Sequence, residues 1–211
     1  MANVPFSTLY DQVRPYLPGA EPAFINEQIR KVLREFMKRT TLVRETFAFD
    51  TTAGMSTYQL IPGFGQVSSV LEVFYDEPGS GIERELRARP ESARYLRSPA
   101  KPDSWWTSLP DIITLSPTPD AIYTISVRAA TTLKQDATTF PEELLAHHAE
   151  AIAAGVMAIM YAMPGKPWTA GQAAKEAGRT FNGAIRTIRG NLRDGGQPNQ
   201  STFRGVAGFG A

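Results

Sequence analysis

The sequence predicts an α+β protein: an antiparallel helical bundle with an inserted small antiparallel β-sheet or barrel and an extended C-terminal arm. Three observations carry that reading. Apolar residues recur at helical spacing toward both ends of the 211-residue chain, over residues 22–39, 142–163 and 172–193. Between them, from Leu42 onward, apolar and polar residues alternate with period two and are punctuated by turns rich in Gly and Pro. The last eighteen residues, 194–211, hold five glycines and two isolated phenylalanines with no periodicity, too little to bury a face of their own. The expected organisation is N-terminal helices of the bundle over 1–41, an inserted β-domain over 42–137, an antiparallel helix pair over 138–193 and the arm over 194–211.

Ser7 is placed to cap a short helix running to about Arg14, which Pro15 and the Leu17-Pro18-Gly19 turn terminate. In the next helix Ile25, Ile29, Val32, Leu33, Phe36 and Met37 share one face, with Pro22 suited to the first turn. The opposite face carries Arg30, Lys31, Arg34, Lys38 and Arg39, offset by Glu27 and Glu35. That face reads as solvated, or as a subunit or weak polyanion contact.

In the β-region Val43, Glu45, Phe47 and Phe49 alternate, Asp50-Thr51-Thr52-Ala53-Gly54 supplies a turn, and residues 57–60 are expected to return as a hairpin. Residues 67–75 form a third strand, with 82–86 pairing back. Residues 88–109 read as irregular, with four prolines nearby, a helical turn at 91–96 and the pair Trp105-Trp106 as packing or interface anchors. Residues 112–116 and 121–130 are expected to make a hairpin about Pro117-Thr118-Pro119-Asp120. Thr139 with Glu142, and Thr169 with Gln172, have capping-box spacing before the two long C-terminal helices. The first of these is Ala-rich and nearly uncharged after Glu150, which implies burial, and the short 163–168 link makes the two helices antiparallel. The second carries Ala177, Phe181, Ala184, Ile185, Ile188 and Leu192 on one face, with Lys175, Arg179, Arg186, Arg189 and Arg193 mostly elsewhere.

Composition narrows the chemistry. Cysteine is absent, which removes disulfides, thiolate metal sites and thiol nucleophiles. The net charge is +1, and no signal sequence or apolar run of membrane-spanning length stands out, so a soluble intracellular product is expected. His147 and His148 are adjacent, so their side chains point about 100° apart on a helix and cannot share a metal as i, i+4 ligands do. Phosphate-cradle, dinucleotide, zinc-protease and nucleophile-elbow motifs are missing, and neither catalytic residues nor a cofactor is expected. Gly63-Phe64-Gly65 and Gly79-Ser80-Gly81 read as strand-linking turns. Glu142 and Glu143 are the one tempting acid pair, but acids in a first helical turn answer the helix dipole.

Several stretches, taken in order, resemble the head-to-tail adaptor, or connector, proteins of short-tailed bacteriophages. They are residues 13–20 before the 25–39 helix ending Glu35-Phe36-Met37-Lys38-Arg39-Thr40; the Phe49-Asp50-Thr51-Thr52-Ala53-Gly54 turn with Tyr58 and Leu60; Leu115-Ser116-Pro117-Thr118-Pro119-Asp120 leading to Tyr123; and residues 162–168. The resemblance implies a virion protein at the head–tail junction, assembled in the host cytoplasm. It implies a homo-oligomeric, dodecameric ring beneath the portal protein, contacting tail (nozzle or fibre) proteins and passing DNA through its channel without sequence-specific binding. The arm, with Phe203, Arg204, Val206 and Phe209, is then expected to dock on the portal, while Arg30, Arg34, Trp105, Trp106, Arg186 and Arg189 are candidate subunit or tail contacts. Rival readings are a tail-tube or nozzle protein, a cell-wall glycosidase and a nucleic-acid-binding module.

Overall fold

A computed structural model describes residues 2–76, 83–90 and 98–193. The chain runs β1 (Asn3–Pro5), α1 (Ser7–Val13), a 3-10 turn (Arg14–Tyr16) and α2 (Pro22–Thr40). The strands β2 (Arg44–Asp50), β3 (Thr57–Gln59), β4 (Gln66–Asp76), β5 (Glu83–Glu85), β6 (Arg87–Ala88), β7 (Ser104–Leu109), β8 (Ile112–Ser116), β9 (Thr124–Thr132) and β10 (Thr139–Pro141) follow. Helices α3 (Glu142–Tyr161) and α4 (Gly171–Arg193) complete the described chain.

The antiparallel helical bundle expected from the periodicity is not the architecture. The fold is mixed α+β, with ten strands in three sheets among the described residues. Helix α1 has only seven residues, too short to act as a bundle member. The helical core is closed by non-helical residues instead: Phe6, Val43, Leu133 and Phe140 join Ile29, Phe36, Val156 and Phe181 in one buried cluster. Strands β1 and β10 pair antiparallel with Val4 opposite Phe140, and Phe6 stacks on Phe140 at 5.8 Å between ring centroids. The N-terminus is thereby tied to the start of α3, where the Glu142 amide donates to the Ala2 carbonyl at 3.0 Å.

The amphipathic phase of α2 is as its spacing predicts, with Ile25, Ile29, Val32, Leu33, Phe36 and Met37 at most 1% exposed. Pro22 occupies its first turn, and Thr41, at φ 51°, closes it in the left-handed conformation. The predicted caps are absent. Phe6, not Ser7, holds the N-cap position of α1. Thr139 is committed to the β1–β10 ladder, so α3 starts from Pro141 with no side-chain cap. The Thr169 hydroxyl pins the interhelical link, accepting from the Lys166 amide at 3.0 Å and donating to the Met163 carbonyl at 2.5 Å.

The strands form two four-stranded sheets, ordered β2-β9-β4-β5 and β3-β8-β7-β6. They share a second apolar core in which Val73, Tyr75, Ile125 and Val127 of one sheet meet Tyr58, Trp105, Ile113 and Leu115 of the other. The return of residues 83–86 along β4 agrees with the sequence reading, Phe74 standing opposite Glu85. Both other expected hairpins are overturned. β2 pairs with β9, Phe47 opposite Val127, while β3 pairs with β8, Tyr58 opposite Ile113. The connections 51–56 and 117–123 therefore cross between sheets side by side. The Gly54 amide donates to the Pro119 carbonyl at 2.8 Å, and the Thr51 amide to the Tyr123 carbonyl at 2.9 Å. Phe49 stacks on Tyr58 across the sheets at 4.8 Å, and the Tyr58 hydroxyl donates to the Met55 carbonyl at 2.7 Å.

Residues 104–109 are likewise not irregular: they form β7, antiparallel to β8 and parallel to the short β6. The 91–96 helical turn lies outside the described residues. Gly65, at φ 65°, is a strand-linking turn as expected, pressed so closely on the Thr132 carbonyl that no Cβ fits. The two cores meet where β9 ends, since Ile125 and Val127 belong to the sheet core and Leu133 to the helical one. There the Thr132 hydroxyl donates to the Arg34 carbonyl at 3.2 Å.

Candidate functional site

The outer side of α3 and α4 combines exposed cations with partly accessible apolar residues. Helix α4 lays Phe181, Ile185 and Ile188 into the helical core and turns Lys175, Arg179, Arg186 and Arg189 to solvent. Helix α3 buries Leu144, Ile152, Gly155, Val156 and Met160, but Ala151, Ala153, Ala154, Met157, Ala158 and Ile159 stay only partly covered. The burial predicted from its low charge is thus partial: Ala151, Ala153, Met157 and Ile159 pack against the helical core yet remain partly accessible. By length and composition α3 could cross a membrane, yet it packs on α2 and α4 as a core helix does.

Near the N-terminal half of α3 an open groove of about 850 Å³ runs between α1, α3 and α4, bordered by Gln12, Leu145, His148, Ala184, Ile188 and Asn191. The His148 ring lies 5.4 Å from Phe36 and 6.3 Å from His147. Burial, then repulsion from His147, lowers its pKa below the usual 6.5. Glu142 and Glu143 are exposed at the opening turn of α3.

The residues singled out from the sequence fall into distinct environments. Arg30 is half-buried and acts within the subunit: its Nε donates to the Ala137 carbonyl at 2.9 Å, and its guanidinium sits 5.6 Å from the Phe6 ring centroid. Arg34 is half-buried on α2. Trp105 is a core residue, 7% exposed, whose indole Nε1 donates to the Leu86 carbonyl at 3.1 Å. Trp106 points to the other side of β7 and is half-buried. Arg186 and Arg189 are exposed on α4. Phe203, Arg204, Val206 and Phe209 lie outside the described residues.

Lys175 and Arg179 are exposed with Arg186 and Arg189, as the helical spacing predicts. One feature escaped the sequence reading. Arg39 links α2 to α4 by donating to Glu35 at 2.9 Å and to the Asn182 carboxamide oxygen at 2.8 Å, a contact across 143 residues that no local pattern announces.

No curated protein matches the chain. The family model described as SU10 adaptor protein matches residues 4–204, spanning both cores and all four helices. The chain belongs to the SU10 adaptor protein family and is a phage head–tail adaptor, a structural component of the virion.

Proposed function

We propose that copies of this protein form a ring, commonly of twelve, beneath the portal vertex, extending the DNA channel and offering a platform to tail proteins. The protein acts there by binding and not by turnover. The observation that carries the reading is the partly accessible apolar surface of α3: residues 151–161 hold no charged side chain, yet only Ile152, Gly155, Val156 and Met160 are fully buried in the subunit, the rest lying at the margin of the helical core. Such a surface supports packing against a neighbouring copy. Family membership supports the portal as the partner above and tail components below.

In this reading the arm, 194–211, reaches the portal, and the subunits assemble in the host cytoplasm on portal-bearing capsids. The exposed faces of α2 and α4 are polar, so contacts between free copies are weak and ring closure depends on the portal. Sedimentation of the free protein at micromolar concentration is expected to give a monomer, and electron microscopy of portal-bearing capsids incubated with it a ring under the vertex. A stable ring of free protein, or capsids without added density at the portal, contradicts the proposal.

A further inference from the structure

Helix α4 carries its described cations on one line. At 100° per residue, Lys175, Arg179, Arg186 and Arg189 fall within about 40° of a common direction, and at 1.5 Å rise they span roughly 21 Å. All four are exposed, and none has an ion pair or hydrogen bond among the described residues. Some cations elsewhere are engaged: Lys31 lies 2.7 Å from Glu27, and Arg39 bridges Glu35 and Asn182. Glu176, the one acid of α4, lies about 100° around the helix from Lys175 and is hydrogen-bonded by Gln172 at 3.3 Å. Like charges one turn apart destabilise an isolated helix, so the fold itself gains nothing from this row.

A second observation lies beside it. Gly183 and Gly190 lie along one side of the cationic line, and a Cβ built at either meets nothing within 4 Å. Nothing inside the described subunit requires glycine there, although glycine weakens a helix interior. Bare backbone next to a row of cations lets a broad, densely charged surface approach closely. Duplex DNA, with one negative charge per about 1.7 Å of its axis, presents such a surface along a straight line.

We infer that the outer face of α4 binds the sugar-phosphate backbone of duplex DNA, through Lys175, Arg179, Arg186 and Arg189 and without reading sequence. The binding is read on the free full-length protein, so it can fail while a ring forms on the portal, and the ring can fail while the binding stands.

The test is a fluorescence-anisotropy titration of a labelled 20-base-pair duplex at several salt concentrations. Four phosphate contacts predict a slope of log K against log salt of about −3.6, equivalent to roughly a hundredfold loss of affinity between 50 and 200 mM. The quadruple variant Lys175→Gln, Arg179→Gln, Arg186→Gln, Arg189→Gln is expected to bind at least about tenfold more weakly with a slope near zero, whereas Lys31→Gln binds as wild type does. Arg186→Glu alone, checked for native circular dichroism, provides the same comparison if the quadruple variant does not fold. Absence of saturable binding at 25 mM salt, or wild-type affinity in both α4 variants, overturns the inference. Wild-type duplex affinity in the quadruple variant together with lost capsid attachment also overturns it, and assigns the row to an acidic protein face.

Discussion

Gly155 of α3 lies directly against the ring of Phe181 on α4: a Cβ at position 155 would stand 2.8 Å from Cδ2 of Phe181 and 2.7 Å from Cγ1 of Val32 on α2. Three helices therefore converge on one missing side chain. Gly155→Ala raises helix propensity by about 1 kcal/mol but overpacks the core at a cost of about 1–3 kcal/mol. Both neighbours are buried, so neither can swing aside. The expected result is a net loss of up to roughly 2 kcal/mol in urea unfolding. A midpoint at or above that of wild type would mean that α3 and α4 separate at no cost.

Phe181 is 6% exposed, lies 6.2 Å from the Phe36 ring and has the Arg39 guanidinium 5.9 Å from its centroid. Truncation of such a side chain costs about 3–5 kcal/mol. Phe181→Ala is expected to unfold the isolated subunit or to lower its melting temperature by many degrees. An unchanged melting temperature contradicts the packing described.

Trp105, read from the sequence as a packing or interface anchor and a candidate subunit or tail contact, fills the core between the sheets. Trp105→Phe keeps most of the apolar volume and leaves the buried Leu86 carbonyl without its indole donor, at a cost of about 1–3 kcal/mol. Lower stability with undiminished attachment to capsids is expected. Full stability with lost attachment would return this tryptophan to the surface.

His148 makes stability depend on pH in a defined direction. Its folded pKa is depressed by burial and by His147, so the neutral form is favoured in the native state. The unfolded chain takes up a proton first as pH falls through about 6.5, and the stabilisation is lost as pH continues down through the lower folded pKa. Melting temperature is therefore expected to fall from pH 7.5 to 5. His148→Gln should flatten that part of the profile, and an equally steep decline in the variant would assign the effect to other groups.

The arm yields the sharpest test of the portal reading. Deletion of residues 195–211 is expected to leave circular dichroism and melting nearly unchanged and to abolish attachment to portal-bearing capsids. Phe203→Ala with Phe209→Ala should reproduce most of that loss, since positions six apart would face one side of an arm bound in extended form, at roughly 3.3 Å per residue. Wild-type attachment by the deletion, or loss of its folded signal, would show that the segment belongs to the subunit's own fold.

What the sequence by itself determined was local. The faces of α2 and α4, the alternation of Phe47 and Phe49 or of Ile125 and Val127, and the existence of a turn at Gly63-Phe64-Gly65 all follow from interactions within a few residues, because helical and strand periodicity are written in neighbouring positions. The ordered set of turns was also enough to point to the adaptor family. Tertiary structure alone decided which strand pairs with which. Asp50-Thr51-Thr52-Ala53-Gly54 and Pro117-Thr118-Pro119-Asp120 announce turns, but a turn does not state whether the chain re-enters the same sheet. Val127 and Ile113, both 0% exposed, offer Phe47 and Tyr58 partners in two different sheets with a shared apolar interior, and burying both faces together outweighs two isolated hairpins. The same physics turned the expected bundle into a mixed α+β fold: seven residues of α1 cannot cover the helical core, so Phe6, Val43, Leu133 and Phe140 complete it from strands and loops distant in sequence.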